Sequence, residues 1–531
     1  MVASSSNEAD VDATSLGVFR YKAEAIAEEM GVALQRSASA PNIKERRDFS
    51  CAIFDAEGRL VAQGAHMPVH LGSMAASVAA ILADFSLHPE DIAAVNDPYN
   101  GGTHLPDVTL VGGVFRPSGD LLAFVATRAH HADIGGMSPG SMPLATEIFQ
   151  EGQIIPPLLL RNGNDWQEGL MRLLLRNVRA PEVFRADLLA QAASLQTGQR
   201  RLLEIDTDQD AAYVPTAMKA LMDYSERATR SAIRRIPDGT YAADDYLDDM
   251  LPGGDPVLIR ARINVLGDRI TVDFSGSSPQ QPGPLNAVEA VTRSAVYYCT
   301  RALMLDDVPM NDGCFRPVTV RAPSGTVVNA TFPSAVSGGN VETSQRIVDT
   351  VLRALAEGLP SVIPAAGQGT MNNVTFGGWD ASRGRPFVWY ETLGGGMGGG
   401  PQREGLSGVH VAMSNTRNTP IESIEMELPV RIAGYSLRRE TGGRGQFRGG
   451  DGLERIYEFL EHAEGTIISE RRRFAPWGLA GGDAGTPGQN FLRLSSGEIL
   501  PLGSKARFTV EKGDQLVVRT PGGGGWGEPG N

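Results

Sequence analysis

The sequence predicts an α+β fold of several domains, rich in antiparallel sheet with helical segments. Three observations lead there. At 531 residues the chain is too long for a single core, so two or three domains are expected. Apolar runs return on themselves across short turns, which is the pattern of β-hairpins. Helical and strand periodicities fill separate stretches, and the 63 glycines are clustered rather than spread, marking loops built from backbone. The division expected is an N-terminal α+β domain over residues 15–205, a middle α+β domain over 206–340 and a Gly-rich, β-rich domain over 341–531.

In chain order, residues 1–15 are polar and are expected to fray. Residues 17–39 read as a helix with Val18, Ala23, Ile26, Met30, Val32 and Leu34 apolar. Residues 49–54 and 60–62 form a hairpin turning at Ala56, Glu57 and Gly58. Ser73 is a suitable N-cap for a helix over 74–85. Two apolar runs, 108–115 and 121–126, flank the turn signal RPSGD and form a second hairpin. Helical patterns follow over 166–196, broken at Pro181, and over 213–236. Residues 239–275 turn to period two, as in DRITVDFSG, 287–305 return to helix, and 318–330 read as strand. SGGNVETSQRIVDTVLRAL opens a helix with glycines and Asn340, a start that suits either an anion or a simple cap. Residues 490–502 look like another hairpin. The PGGGGWGEP tail either wraps towards the site or closes the last sheet.

Charge and motifs exclude several classes. The net charge of −14, with no Lys/Arg cluster that resembles a nucleic-acid patch, argues against a nucleic-acid partner. Cys51, Cys299 and Cys314 form no CxxC pair, so a reducing compartment is expected, and the chain is read as cytoplasmic. No run of about 18 apolar residues occurs, so no membrane span is expected. Gly394, Gly396 and Gly399 match a dinucleotide fingerprint formally, but Pro401 and Gly405 leave no helix after them, and the match is rejected. With no GxxxxGK[ST] loop either, no ATP site is expected on this chain.

The chemistry is expected in residues 96–136, NDPYNGGTHLPDVTLVGGVFRPSGDLLAFVATRAHHADIGG. A polar loop gathers Asp97, His104 and Asp107. If the hairpin closes about Ser118 and Gly119, facing residues carry numbers summing to 237, and Asp107 faces His130. Opposed residues place their Cβ atoms about 4.5–5.5 Å apart, a gap one ion can bridge. His104, Asp107 and His130 are therefore candidate ligands for a divalent metal such as zinc, manganese or iron. His131 would turn to the other face, unless a β-bulge at Gly112 and Gly113 exchanged the two histidines. Asp107, His131 and Asp133 are the candidate catalytic groups, and His66, His70 and His410 the candidate substrate-side groups. From spacing alone, Asp48 at the entrance of the first hairpin is a turn residue.

NDPYNGGTHLPDVTL and RAHHADIGGMSPGSMP resemble the B-type subunit of ATP-dependent hydantoinases and oxoprolinases. The same motifs occur in the C-terminal half of 5-oxoprolinases, and diverged forms in acetone and acetophenone carboxylase large subunits. IKERRDFS, HMPVHLGSM, the stretch from GVHVAMSN to DGLER, SERRRFAPWGL and the glycine tail extend the resemblance over nearly the whole chain. The resemblance implies that Asp48 is an additional metal ligand. It also implies an A-type ATPase partner of the sugar-kinase-like superfamily, which would bind ATP and activate a small cyclic amide by phosphorylation. The chain would then complete hydrolysis within a hetero-oligomer. The alternatives are a subunit of an ATP-dependent ketone carboxylase, or a non-catalytic scaffold for the ATPase.

Overall fold

The computed structural model describes residues 11–250, 253–304 and 307–530. Most of the fraying expected at the N-terminus, and the end expected for the 287–305 helix, lie outside these residues. The first sheet has seven strands. They are β1 (Phe49–Asp55), β2 (Leu60–Gln63), β3 (Ile92–Val95), β4 (Asp107–Phe115), β5 (Leu121–His130), β6 (Leu158–Asn162) and β7 (Asp165–Trp166), in the order β2-β1-β5-β4-β3-β6-β7. Helices cover both faces, so β4 and β5 are buried throughout their middle and read as continuous apolar runs rather than alternating ones. α1 (Ala13–Ser37), which the short α2 (Pro41–Lys44) follows, packs on α5 (Pro181–Thr207) over one face, where Val108, Leu110, Val125 and Ala129 point. α3 (Ser73–Asp84) covers the other, against Val111, Phe124 and Ala126.

The hairpin register is the one its turn predicts. Asp107 faces His130, and the pairing holds in step as far as Val114 and Ala123. The one slip lies at the turn end, between Val114 and Phe115, and not at Gly112 and Gly113. Because the bulge comes after the hairpin's open end, it leaves the histidine assignment untouched.

Helix starts differ from expectation in two places, at α1 and α3, while the break expected at Pro181 is present. α1 begins at Ala13, because the Asp12 carboxylate caps the amides of Thr14 and Ser15. Ser73 does not cap α3; it is the first helical residue, and its Oγ accepts from the buried Arg128 at 2.6 Å. Arg128 also donates to Thr109 and Ser77, so it ties α3 to the hairpin. Pro181 separates α4 (Glu168–Arg176) from α5 by opening the latter, where its missing N–H does no harm.

α6 (Tyr213–Ile233) leads into a four-stranded sheet of β8 (Gly239–Leu247), β9 (Val257–Leu266), β10 (Arg269–Asp273) and β11 (Val318–Arg321). β11 pairs parallel to β10, and it stops at Arg321, nine residues short of the expected strand end at Ala330, where Pro323 and Gly325 turn the chain. α7 (Glu289–Ala302) and α8 (Ser344–Leu355) pack together, with α8 against β8 and β9. The apolar clusters run across residues 205/206 and 340/341: Val214 and Leu221 join the first core, Ile347 and Val351 the second.

The rest of the chain forms two antiparallel sheets. Strands β12 (Asn373–Asp380), β13 (Arg385–Glu391), β14 (Val430–Arg438), β15 (Gly452–Phe459), β16 (Ala463–Ile468), β17 (Gln489–Arg493), β18 (Ile499–Leu502), β19 (Lys505–Val510) and β20 (Gln515–Arg519) are ordered β13-β12-β16-β19 and β14-β15-β20-β17-β18. β17 and β18 are the hairpin expected over 490–502. Beside them lies a layer of glycine segments bonded backbone to backbone. Gly396 N donates to Pro521 O, Gly399 N to Gly524 O, Gly443 N to Gly523 O and Gly523 N to Gly450 O, all at 2.8–3.0 Å. The glycine tail is the central thread of this layer. No helix among the described residues is long and apolar enough to cross a membrane.

Candidate functional site

Asp107 opens β4 and His130 closes β5, so the hairpin brings them side by side. The turn before β4, bonded from Asp107 N to His104 O at 3.1 Å, folds His104 back onto the same carboxylate. His104 Nε2 lies 3.0 Å and His130 Nδ1 3.3 Å from Asp107 Oδ1. The other oxygen, Oδ2, meets Thr103 Oγ1 at 2.9 Å, His70 Nε2 at 3.3 Å and Asn340 Nδ2 at 3.4 Å. All six residues are buried. Burial alone would raise the Asp107 pKa, but the charge of His104 and the contacts to His104, His130 and His70 hold it well below the usual carboxylate range. Burial likewise opposes a charge on His104, and the Asp107 carboxylate outweighs it and raises that histidine.

The donor set fits a divalent metal. One nitrogen each from His104 and His130 and one oxygen of Asp107 lie within 4.8 Å of one another. His104 Nδ1 and His130 Nε2 are buried without a hydrogen-bond partner, an expensive arrangement unless something coordinates them. Two imidazoles and a carboxylate suit zinc, manganese or iron. Asp48 lines the same narrow cavity, and its carbonyl accepts from His130 N at 3.0 Å.

The remaining candidates divide. His70 reaches the cluster, held between Ser50 Oγ at 2.8 Å and Asp107. His410 stands one residue behind the cavity wall: its ring nitrogens meet Ser414 and Thr416, whose neighbouring faces line the cavity, and burial pushes it down to about 3. His66 lies in a separate, open pocket beside Glu28. His131 and Asp133, expected as catalytic groups, are not brought to Asp107. Neighbouring strand residues point to opposite faces, so His131 turns towards α5, bonds Gln191 Oε1 at 2.9 Å and packs on Phe184. Burial pushes it down to about 4. Beyond the strand the chain turns away, and Asp133 accepts from the amides of Gly135 and Arg179 and pairs with the Arg179 guanidinium at 3.0 Å. Asp97 makes a local turn, accepting from Tyr99 N.

Several residues of the site escape sequence reasoning. Tyr390, on β13, stacks on His130 with centroids 4.5 Å apart, and Arg46 lies over the same ring. Arg46 donates to Tyr390 O and to Thr392 Oγ1, pinning β13 against the first hairpin. Arg46 stands inside IKERRDFS and Asn340 inside SGGN, so both carried a local signal; Tyr390 carried none. Asn340 shows that the start of the α8 segment is turned towards Asp107. Glu151 is fully buried, accepts from the amides of Val336 and Ser337 through one oxygen, and is pushed up to about 7 by burial.

Known proteins match this chain over nearly its whole length. The profile of the hydantoinase B/oxoprolinase family covers residues 12–529. 5-Oxoprolinase 1 of Arabidopsis thaliana is 39% identical over 97% of this chain, which spans only 42% of that longer protein. A Pseudomonas protein, named as the putative B-type component of a D-/L-hydantoinase, is 32% identical over 98% of this chain and 90% of its own length. The crystal structure of an ATP-dependent caprolactamase from Pseudomonas jessenii superposes with a TM-score of 0.90 at 28% identity, over 98% of this chain and 91% of that one. Fold, hairpin cluster and matched length agree: the chain belongs to the hydantoinase B/oxoprolinase family.

Proposed function

We propose that this chain completes the hydrolysis of a cyclic amide that an A-type ATPase subunit has activated at the expense of ATP. The observation that carries the reading is Asp107, buried among three imidazoles at the mouth of one hairpin. A caprolactamase named as ATP-dependent and a relative named as one component of a hydantoinase support the substrate class and the division of labour. Three buried, unpaired cysteines fit a cytoplasmic setting.

In this reading His104, Asp107, His130 and Asp48 hold a divalent ion, zinc, manganese or iron. Such an ion, when bound, supplies Lewis acidity towards a carbonyl or phosphoryl oxygen and lowers the pKa of a bound water. The protein's own part is positioning. Thr103, His70 and Asn340 occupy one oxygen of Asp107 and leave the other facing His104 and His130. Burial holds His70 below its ordinary pKa, so it is neutral near pH 7 and able to carry a proton between Ser50 and the cluster. Tyr390 holds the His130 ring by stacking. Amides resist opening because the carbonyl is resonance-stabilised and the amine leaves poorly. Phosphorylating the amide oxygen on the partner removes much of that resonance before the ring reaches this site.

The test is co-expression with an A-type ATPase subunit, followed by plasma-emission metal analysis and ring opening of hydantoin, 5-oxoproline and caprolactam with and without ATP. Opening is expected only with both subunits and ATP, and Asp107→Asn should lose the metal and turnover together. Opening by this chain alone would refute the division of labour. ATP-driven uptake of bicarbonate by a ketone would replace the hydrolase with a carboxylase.

A further inference from the structure

A second cavity, open to solvent, adjoins the buried cluster and has no role so far. Its lining includes Glu28, Arg47, Phe49, His66, Asn415 and Arg417. Three separate chain segments pass from this cavity to the buried one within a single residue. Arg47 lines the open cavity and Asp48 the buried one; His66 is followed by Met67 in the same way; Asn415 is flanked by Ser414 and Thr416. The wall between the two spaces is therefore one residue thick at three places. An open cavity so placed is the natural approach to the metal ligands.

Its charge is unusual. Among the described residues, neither Arg47 nor Arg417 has a hydrogen bond or ion pair from its guanidinium, and both side chains are exposed at the pocket. A backbone bond from Arg417 N to Arg46 O, 3.0 Å, sets the two arginine-bearing segments side by side. Arg47 holds a left-handed backbone conformation, φ 57°, which non-glycine residues seldom adopt without a reason in the surrounding structure. The one carboxylate in the lining, Glu28, is engaged elsewhere: it accepts from Ala65 N and faces His66 Nε2 at 3.6 Å. Two guanidinium forks therefore stand free in a concave site, the arrangement that recognises a phosphate.

We infer that this pocket is a phosphate-recognition vestibule, in which Arg47 and Arg417 hold the phosphoryl group of the activated substrate, or the phosphate released from it, at the entrance to the metal cluster. The inference rests on the proposed function, in which the ring arrives O-phosphorylated. Phosphate itself provides an independent probe.

The full chain, stripped of metal, is titrated with inorganic phosphate by calorimetry, beside Arg47→Gln, Arg417→Gln and the double variant. Binding is expected in the unaltered chain, with at least a tenfold loss in the double variant and an unchanged melting temperature. No binding by the unaltered chain, or equal binding by the double variant, overturns the inference. In the complete complex, a rise in ATP consumed per ring opened in the double variant identifies the recognised group as the activated substrate. Unchanged coupling with weaker inhibition by phosphate identifies it as the product. Phosphate binding that depends on both arginines, in a complex that opens no ring, would uphold the vestibule and defeat the proposed hydrolase.

Discussion

The hairpin mouth and the glycine layer solve opposite problems. At Asp107 the chain converges side chains, and five buried polar groups share its two carboxylate oxygens. In the layer around Gly523 it removes side chains, so that four stretches of backbone can bond to one another. A Cβ at Gly523 would stand 2.1 Å from Met397 O, and one at Gly396 2.0 Å from Gly450 O. The first region is chemistry on a rigid sheet; the second is packing without side chains. Residue clusters that look equally distinctive in sequence thus have unrelated meanings. The Gly394–Gly396–Gly399 pattern belongs wholly to the second kind.

The largest effect that would test this contrast is Gly523→Ala. The neighbours of the added methyl are backbone atoms that cannot swing aside, so the loss should exceed the ~1–3 kcal/mol usual for an overfilled site. Thermal unfolding should show a large fall in Tm, or no folded protein. A variant that folds with an ordinary Tm would show that the layer is loosely packed. Next comes the pair His130→Ala and His131→Ala. The first should lose the metal. The second should keep it and lose about 1–3 kcal/mol of stability, because Gln191 is left with an unmet partner. Metal content of the two proteins, measured together, decides it; loss of metal in His131→Ala alone would reverse the register.

A smaller effect concerns Glu151 and pH. Its folded pKa, about 7, lies above the ordinary value near 4.5, so the folded chain holds this proton more tightly than the unfolded one. The stabilisation is full below about pH 4.5 and is lost as pH rises to about 7. Glu151→Gln keeps an oxygen for the amides of Val336 and Ser337 and removes the ionisation. Its Tm relative to the unaltered, metal-free chain should therefore climb between pH 5 and pH 8, by at most about 3 kcal/mol in stability. A flat difference would mean that Glu151 ionises as freely as an exposed carboxylate. The smallest effect is Gly17→Ala, inside α1, where the added Cβ meets nothing within 4 Å. Helix propensity should then stabilise the chain by roughly 0.5–1 kcal/mol. Gly31→Ala, in the same helix, should do the reverse, since His66 Nε2 lies 2.6 Å from the new atom.

Much of the site was legible locally. The turn at Ser118 and Gly119 and the alternation of β5 were enough to pair Asp107 with His130 and to turn His131 away. His104 was legible because it sits three residues from Asp107. Ser73 misled, because a serine before an apolar run looks like a cap whether or not a buried arginine claims its hydroxyl. The strand expected to run to Ala330 was overextended, because valines in 318–330 suit a turn-rich loop as well once Pro323 and Gly325 bend it. Asp133 misled for a similar reason: its carboxylate serves the Gly135 amide and Arg179, partners that proximity to His130 does not reveal.

By itself the sequence determined the α+β class, the register of the central hairpin, the meeting of His104, Asp107 and His130, and the glycine clusters as built loops. These are properties of neighbours along the chain or across one tight turn, where periodicity and reach suffice. Only the tertiary structure decided that His70 and Asn340 complete the shell of Asp107, that Tyr390 stacks on His130, and that His66 faces an open pocket instead. Those contacts join segments up to hundreds of residues apart. They are set by how sheets and helices stack, which no local pattern of residue types encodes.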